Sequence, residues 1–254
     1  MSDEVLTSVD NGVLVVTLNR PQAKNAANKA LAEGVAAAMD ELDSNDELRV
    51  AILTGAGGTF CSGMDLKAFV SGETPHVPGR GFAGLTESSP RKPLIAAVEG
   101  YALAGGLELA ISCDMIIAAE DAKFGIPEAK RGLAAAAGGL VKLPRQIPPR
   151  IAMELALTGD FITAQRAYEL GLVNHVVPAG TALDAAKALA AKIAANGPLA
   201  VAASKQVILQ QSDWSQAEMF KKQGDIVNTV FVSADAIEGA TAFAEKRAPN
   251  WKGK

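Results

Sequence analysis

The residues best placed to do chemistry are Glu108 and Glu128, with Gly105 and Gly106 just ahead of the first. Two glycines carry no side chain, so the backbone there can come very close to a ligand. Leu107 to Ser112 is apolar apart from Glu108 and predicts a helix. The first N–H groups of that helix lack partners within it and attract negative charge. Glu108 falls one short step inside, among Leu107, Leu109, Ala110 and Ile111, where a carboxylate is poorly solvated. Such a group is costly unless it is paired, protonated or in use. Glu128 follows Pro127, twenty positions on. Paired carboxylates beside backbone anion donors suit proton transfer on a substrate that develops negative charge. Each acid alone has a plainer alternative: Glu108 as an exposed helix residue, Glu128 as an acid in a helix's first turn.

The elements that must hold these residues follow from periodicity. Val5 to Val9 and Val13 to Leu18 predict a hairpin about Asn11-Gly12. Asn28 to Asp43 places Leu31, Val35, Met39 and Leu42 on one helical face, and Val50 to Thr54 is the next strand. Strand, helix, strand suggests a parallel crossover. Phe60 to Leu66 comes at the carboxyl end of that strand, where open α/β sheets bind ligands. A short helix from Asp65 to Val70 would leave Gly63 and Met64 with another free N–H. Ser71 to Pro90, rich in Gly, Pro and Ser, reads as a mobile active-site loop. Leu94 to Val98, Met115 to Ala119 and Leu172 to Val177 are further strands. Helices are expected at 151–158, at 164–170 behind a Thr163 cap, and at 183–195, 199–211, 214–230 and 234–246. The reading is α/β: one core followed by a helical tail.

Composition narrows the class. With 254 residues, 49% hydrophobic and 20% charged, the sequence is able to bury a sizeable core. A net charge of −4 argues against nucleic acid or an anionic membrane as the main partner. Two cysteines and two histidines neither form a disulfide framework nor assemble the ordinary zinc sites, so no metal is expected. The polar, acidic start is unlike a targeting peptide, no apolar run approaches the ~18 residues of a membrane span, and a cytoplasmic protein is expected. Gly55-Ala56-Gly57-Gly58 lacks the third glycine of a dinucleotide fingerprint, because Phe60 stands there. No P-loop or G-x-S-x-G elbow is present. His175 sits in an apolar, strand-like context and reads as structural or surface.

Together these stretches resemble the crotonase superfamily, the enoyl-CoA hydratase/isomerase family. The resemblance is carried by IAAVEGYALAGGLELAISCDM, by Asn19-Arg20-Pro21, FCSGMDL, FGIPE and LTGDFITA. It implies a crotonase-like ββα spiral with two nearly perpendicular sheets over residues 1–195. Residues 196–254 would then be a helical region that builds a homotrimer, often paired into hexamers. It implies an acyl-CoA thioester substrate in fatty-acid metabolism. Coenzyme A would enter with that substrate and no separate cofactor is needed. Carried over residue by residue, Met64 and Gly105 supply the N–H pair for the thioester oxygen. Glu108 becomes the base that activates water, and Glu128 the acid for the α carbon. Coenzyme A contacts map to Ala23, Lys24, Ser62, Asp65 and Leu66, with Phe243 and Lys246 reaching from the C-terminus, in the same or a neighbouring subunit.

The implied activity is enoyl-CoA hydration. The alternatives are isomerisation, which in the superfamily usually keeps only the second glutamate, dehydration of another hydroxyacyl-CoA, or acyl-CoA binding without turnover. Two departures from the family pattern bear on substrate preference. Gly132 is followed by Leu133, Ala134 and Ala135 rather than reaching a proline, and Pro148 replaces a common glycine. The long Met64 side chain would narrow the pocket.

Overall fold

Residues 3–254 are described by the computed structural model. In sequence order the elements are β1 (Val5–Asp10), β2 (Val13–Leu18), α1 (Lys29–Ser44), β3 (Val50–Gly55), α2 (Leu66–Val70), β4 (His76–Val77), β5 (Gly81–Phe82), β6 (Leu94–Val98), β7 (Tyr101–Leu103) and α3 (Gly105–Ala110). Then come β8 (Met115–Ala119), β9 (Lys123–Gly125), α4 (Gly139–Gln146), α5 (Pro149–Thr158), β10 (Ile162–Thr163), α6 (Ala164–Glu169), β11 (His175–Val177) and α7 (Ala182–Ala194). Helices α8 (Pro198–Gln210), α9 (Met219–Phe231) and α10 (Ala234–Glu245) complete the fold.

The larger sheet runs β1-β2-β3-β6-β8-β11, parallel except for the β1–β2 hairpin. Apart from Thr17 and Thr54 its central strands are apolar, because both faces are covered. Leu14, Val16, Ala51, Leu53 and Ala96 point into the main core with α1. Val13, Val15, Val50, Ile52 and Ile95 point the other way, onto Ala182, Ala186 and Ala190 of α7. The Asn28 side chain accepts from Leu31 N–H and starts α1 where the sequence places it.

A second sheet, β10-β9-β7, creates the spiral. Each turn sends one strand to the large sheet, one to the small sheet, and then a helix or helical turn. β6, β7 and α3 make one such turn, and β8, β9 and the 3₁₀ turn Pro127–Arg131 make the next. In the turn before, β3 leads to Cys61, which forms a single parallel bridge with Ala102 of β7, and then to α2.

Several elements differ from expectation, each for a physical reason. The stretch 81–86 is buried, so the middle of the supposed mobile loop is part of the core beside α1. Its glycines serve close packing, which composition alone cannot distinguish from flexibility. Pairing of β11 begins only at His175, after Asn174 Oδ1 has accepted Ile116 N–H and Asn174 N–H has reached Ile116 C=O. Helix α9 starts at Met219, five residues after Trp214. Helix α4 forms where the sequence reads as broken, with Pro144 inside it.

Side-chain contacts anchor the last helices. Lys205 on α8 pairs with Asp114 at 2.6 Å, with both side chains largely buried, and Trp251 Nε1 donates to Ala195 C=O at 2.8 Å. Within the single subunit helix α9 buries none of its residues, and Phe220 and Phe231 are exposed. No described helix is long and apolar enough to cross a membrane.

Candidate active site

Register explains why residues far apart in sequence meet. Cys61 bridges Ala102, so Met64 and Gly105 lie three residues beyond the same rung of adjacent spiral turns. Tyr101 to Leu103 pair with Lys123 to Gly125, which puts Pro127 at the level of Gly105 and Glu128 one residue further. Neighbouring strands are about 4.8 Å apart, and the contacts agree: a Cβ built on Gly63 would lie 3.3 Å from Gly105 N. Neither Met64 N–H nor Gly105 N–H donates to a protein acceptor among the described residues. Two adjacent free donors result, each at the start of a short helix.

The backbone around them is held firmly. Ala104, just before Gly105, has φ 52° and ψ −128°, and its N–H donates to Gly125 C=O at 2.9 Å. Such a conformation costs a non-glycine residue about 1–3 kcal/mol, and strain of this kind concentrates at functional sites. The other donor is braced by Arg20. The Arg20 guanidinium donates to Ala26 C=O and to Asp65 Oδ2 at 2.9 Å, and lies 3.3 Å from Glu4. Ala27 N–H donates to Gly63 C=O and Asp65 N–H to Ala27 C=O, which clasps Met64 between them.

Asp65 is also engaged within the protein. Its carboxylate accepts from Lys67 and Ala68 N–H, capping α2, and pairs with Arg20, and its N–H donates to Ala27 C=O. Partial burial raises its pKa, but the Ala68 N–H and Arg20 outweigh that and hold it below the ordinary carboxylate value. Asp65→Ala is expected to cost about 2 kcal/mol, a lost cap plus a lost charged hydrogen bond. Urea melts measure it, and a change under about half a kcal/mol would show that the clasp contributes nothing beyond an ordinary surface contact.

Glu108 is 3% exposed, against the expectation for an ordinary helix residue. Its Oε1 accepts Gly139 N–H, the first of α4, at 2.8 Å. Burial pushes its pKa from 4.5 up to about 7, with the charge of Glu128 adding to the rise. The Gly139 and Ala137 N–H groups and Lys142 oppose it. Glu128 is also raised, chiefly by burial, and its Oε2 is buried without a partner. The two carboxyls interact electrostatically, and their proton affinities are set apart from those of surface acids.

Ala23, Lys24, Ser62 and Leu66 gather beside Met64: Ser62 N–H donates to Lys24 C=O at 3.0 Å, and Leu66 opens α2. Lys24 Nζ lies 5.4 Å from the centroid of the Tyr101 ring. Phe243 is 87% exposed, Lys246 is also exposed, and no hydrogen bond or ion pair joins α10 to the segments 23–27 or 62–66 among the described residues. Sequence reading missed Gly139, the Arg20 clasp and Phe82, whose ring packs so closely on Gly105 that a Cβ there would be 2.4 Å away. The Gly138-Gly139 pair ahead of an apolar-periodic stretch was the available signal for α4.

The sequence and the fold are similar to those of known proteins. The model of the enoyl-CoA hydratase/isomerase family matches residues 8–254. Enoyl-CoA hydratase EchA19 of Mycobacterium tuberculosis is 47% identical over 252 residues, covering 95% of this sequence and 93% of that protein. Carnitinyl-CoA dehydratase of Proteus mirabilis is 42% identical over 262 residues, with both proteins fully covered. The crystal structure of enoyl-CoA hydratase EchA1 from Mycobacterium marinum superposes with a TM-score of 0.98 at 58% identity, again over the whole of both proteins. Register, buried acids and relatives lead to one conclusion: the protein is an enzyme that belongs to the enoyl-CoA hydratase/isomerase family and has the crotonase fold.

Proposed function

We propose that this enzyme adds water reversibly to a 2-enoyl-CoA thioester. The observation that carries the reading is the placement of two free backbone N–H groups, on Met64 and Gly105, at one rung of the spiral, with two raised carboxyls supplied by that turn and the next. The thioester oxygen accepts from both N–H groups, which favour the enolate that forms when the β carbon is attacked. One such donor is worth about 3 kcal/mol of barrier. Ionised Glu108 takes a proton from the attacking water as its oxygen bonds to the β carbon. Protonated Glu128 gives its proton to the α carbon, the enolate collapses, and the acids exchange roles in dehydration.

Similarity to carnitinyl-CoA dehydratases supports a second reading on the same machinery, loss of water from a hydroxylated acyl-CoA. A panel of enoyl- and hydroxyacyl-CoA thioesters, assayed for hydration, dehydration and double-bond migration, separates the readings. Hydration dominating on at least one enoyl-CoA is expected. Migration dominating throughout would overturn the hydratase assignment.

The exposed apolar side chains of α9 and α10, Phe231 and Phe243 among them, support a homotrimer or dimer of trimers in which α10 brings Phe243 and Lys246 to a neighbouring subunit's coenzyme A. Light scattering of the purified protein gives the mass, and a monomer would sink this assembly.

A further inference from the structure

Lys142 has no part in the chemistry above, yet it joins every piece of the base. It lies on α4 three residues after Gly139, and its N–H donates to Gly138 C=O at 2.8 Å in the helix's first turn. Its stem lies along Gly138, where a Cβ would come 3.3 Å from Lys142 Cδ. Nζ donates to Thr86 C=O at 2.6 Å and to Ser112 Oγ at 2.9 Å. Ser112 Oγ in turn donates to the backbone carbonyl oxygen of Glu108 at 2.7 Å. A single ammonium therefore links three segments. One is the α4 N-terminus, whose Gly139 N–H binds the Glu108 carboxylate. The second is the α3 turn from which Glu108 projects. The third is the buried 81–86 stretch, whose Phe82 ring rests on Gly105.

We propose that Lys142 is a positioning residue for the hydration reaction, fixing the Glu108 carboxylate from its helix and from its hydrogen-bond donor at once, and favouring its ionised form. This rests on Glu108 being the base. The ammonium is a compact point charge with three donors, which suits a carbonyl and a hydroxyl at separate angles better than a planar guanidinium does. The charged and titratable neighbours are few. Glu108 faces Glu128 from the 3₁₀ turn, which raises its pKa, and Lys142, which lowers it. Lys142 faces Cys113 just after α3, Glu108, and Glu87 after the buried stretch. Burial lowers the lysine pKa and those three groups oppose the change.

The test reads Glu108 directly. Protein labelled with carboxyl-13C glutamate is titrated by NMR without substrate, the Glu108 signal being assigned by its loss in Glu108→Gln. In Lys142→Gln the midpoint is expected to rise by about half a unit or more. Hydration kcat should fall roughly tenfold from a displaced base, with KM within about twofold. Lys142→Arg restores the charge and should return the midpoint toward wild type while kcat stays low. A lysine that merely stabilises the fold would lower the melting temperature of both variants and leave the midpoint in place, and that result overturns the proposal. If Lys142→Gln does not fold, Ser112→Ala cuts the link to the Glu108 backbone and keeps the charge. Its kcat should drop several-fold with the midpoint unmoved, and wild-type kcat would overturn the positioning role. A wild-type protein that turns over no enoyl-CoA would refute the hydratase reading instead, and the substrate-free titration would still report on Lys142.

Discussion

Glu108→Gln is expected to lower hydration kcat by about 10³-fold, within the range that a positioned general base contributes, while acyl-CoA binding persists. The amide has the same shape, and its oxygen can still accept Gly139 N–H, so the site stays assembled. What it loses is the ability to take a proton. In the wild-type protein burial pushes the carboxyl up to about 7, so on the proposed role of Glu108 as base hydration should rise with pH through that region. Stability should move in the opposite sense. An acid whose folded pKa lies above its unfolded value binds more protons when folded. Unfolding free energy therefore falls as pH rises between about 4.5 and about 7. The full effect is on the order of 3 kcal/mol, from about 1.4 kcal/mol per pKa unit. Glu108→Gln lacks that titration, so relative to wild type it should gain stability from about pH 5 to about pH 8. Thermal melts at both pH values, together with assays on crotonyl-CoA, measure both effects. Turnover at the wild-type rate in the variant would remove Glu108 from the mechanism.

Gly106→Ala should be nearly as damaging without touching a titratable group. A Cβ at Gly106 would stand 2.0 Å from Cys61 O and 2.7 Å from Cys61 C, and those are backbone atoms with little freedom. Cys61 C=O already accepts Leu103 N–H, in the rung that sets Met64 level with Gly105. The methyl must therefore push α3 away from the 61–64 turn and part the Met64 and Gly105 N–H groups, the proposed oxyanion donors. Losing that alignment is expected to lower kcat/KM by about 10²- to 10³-fold, the usual effect of removing one oxyanion donor. Overpacking should cost about 1–3 kcal/mol of stability in addition. Kinetics well below the variant's own melting temperature separate the two. A folded Gly106→Ala with wild-type kcat/KM would show that the paired donors do not govern the rate.

Much of this was legible in the amino-acid sequence because it depends on neighbours along the backbone. Asn11-Gly12 makes the hairpin, Asn28 caps α1, and the apolar company of Glu108 foretells its burial. Gly105-Gly106 and Gly63-Met64 mark two helix starts, and the N–H groups of Gly105 and Met64 stay open there. The departures after Gly132 also have a local trace: Ala135 is buried, and a Cβ at Gly139 would lie 3.0 Å from its side chain, so this segment backs the donor that holds Glu108.

The rest belongs to contacts between distant residues. No local pattern says that Cys61 will bridge Ala102, yet that single rung aligns the two N–H groups. Nothing near Asp65 in the sequence says that Arg20, 45 positions away, will pair with its carboxylate. The glycine-rich stretch 81–86 reads as mobile because composition reports what the backbone can do, not what packs against it. Lys142 looks like any surface lysine until the fold carries Thr86 and Ser112 to its ammonium. Local sequence determines propensity and the kinds of group available. Which groups face each other, how far water is excluded, and hence how strongly an acid holds its proton, are decided only when the spiral closes.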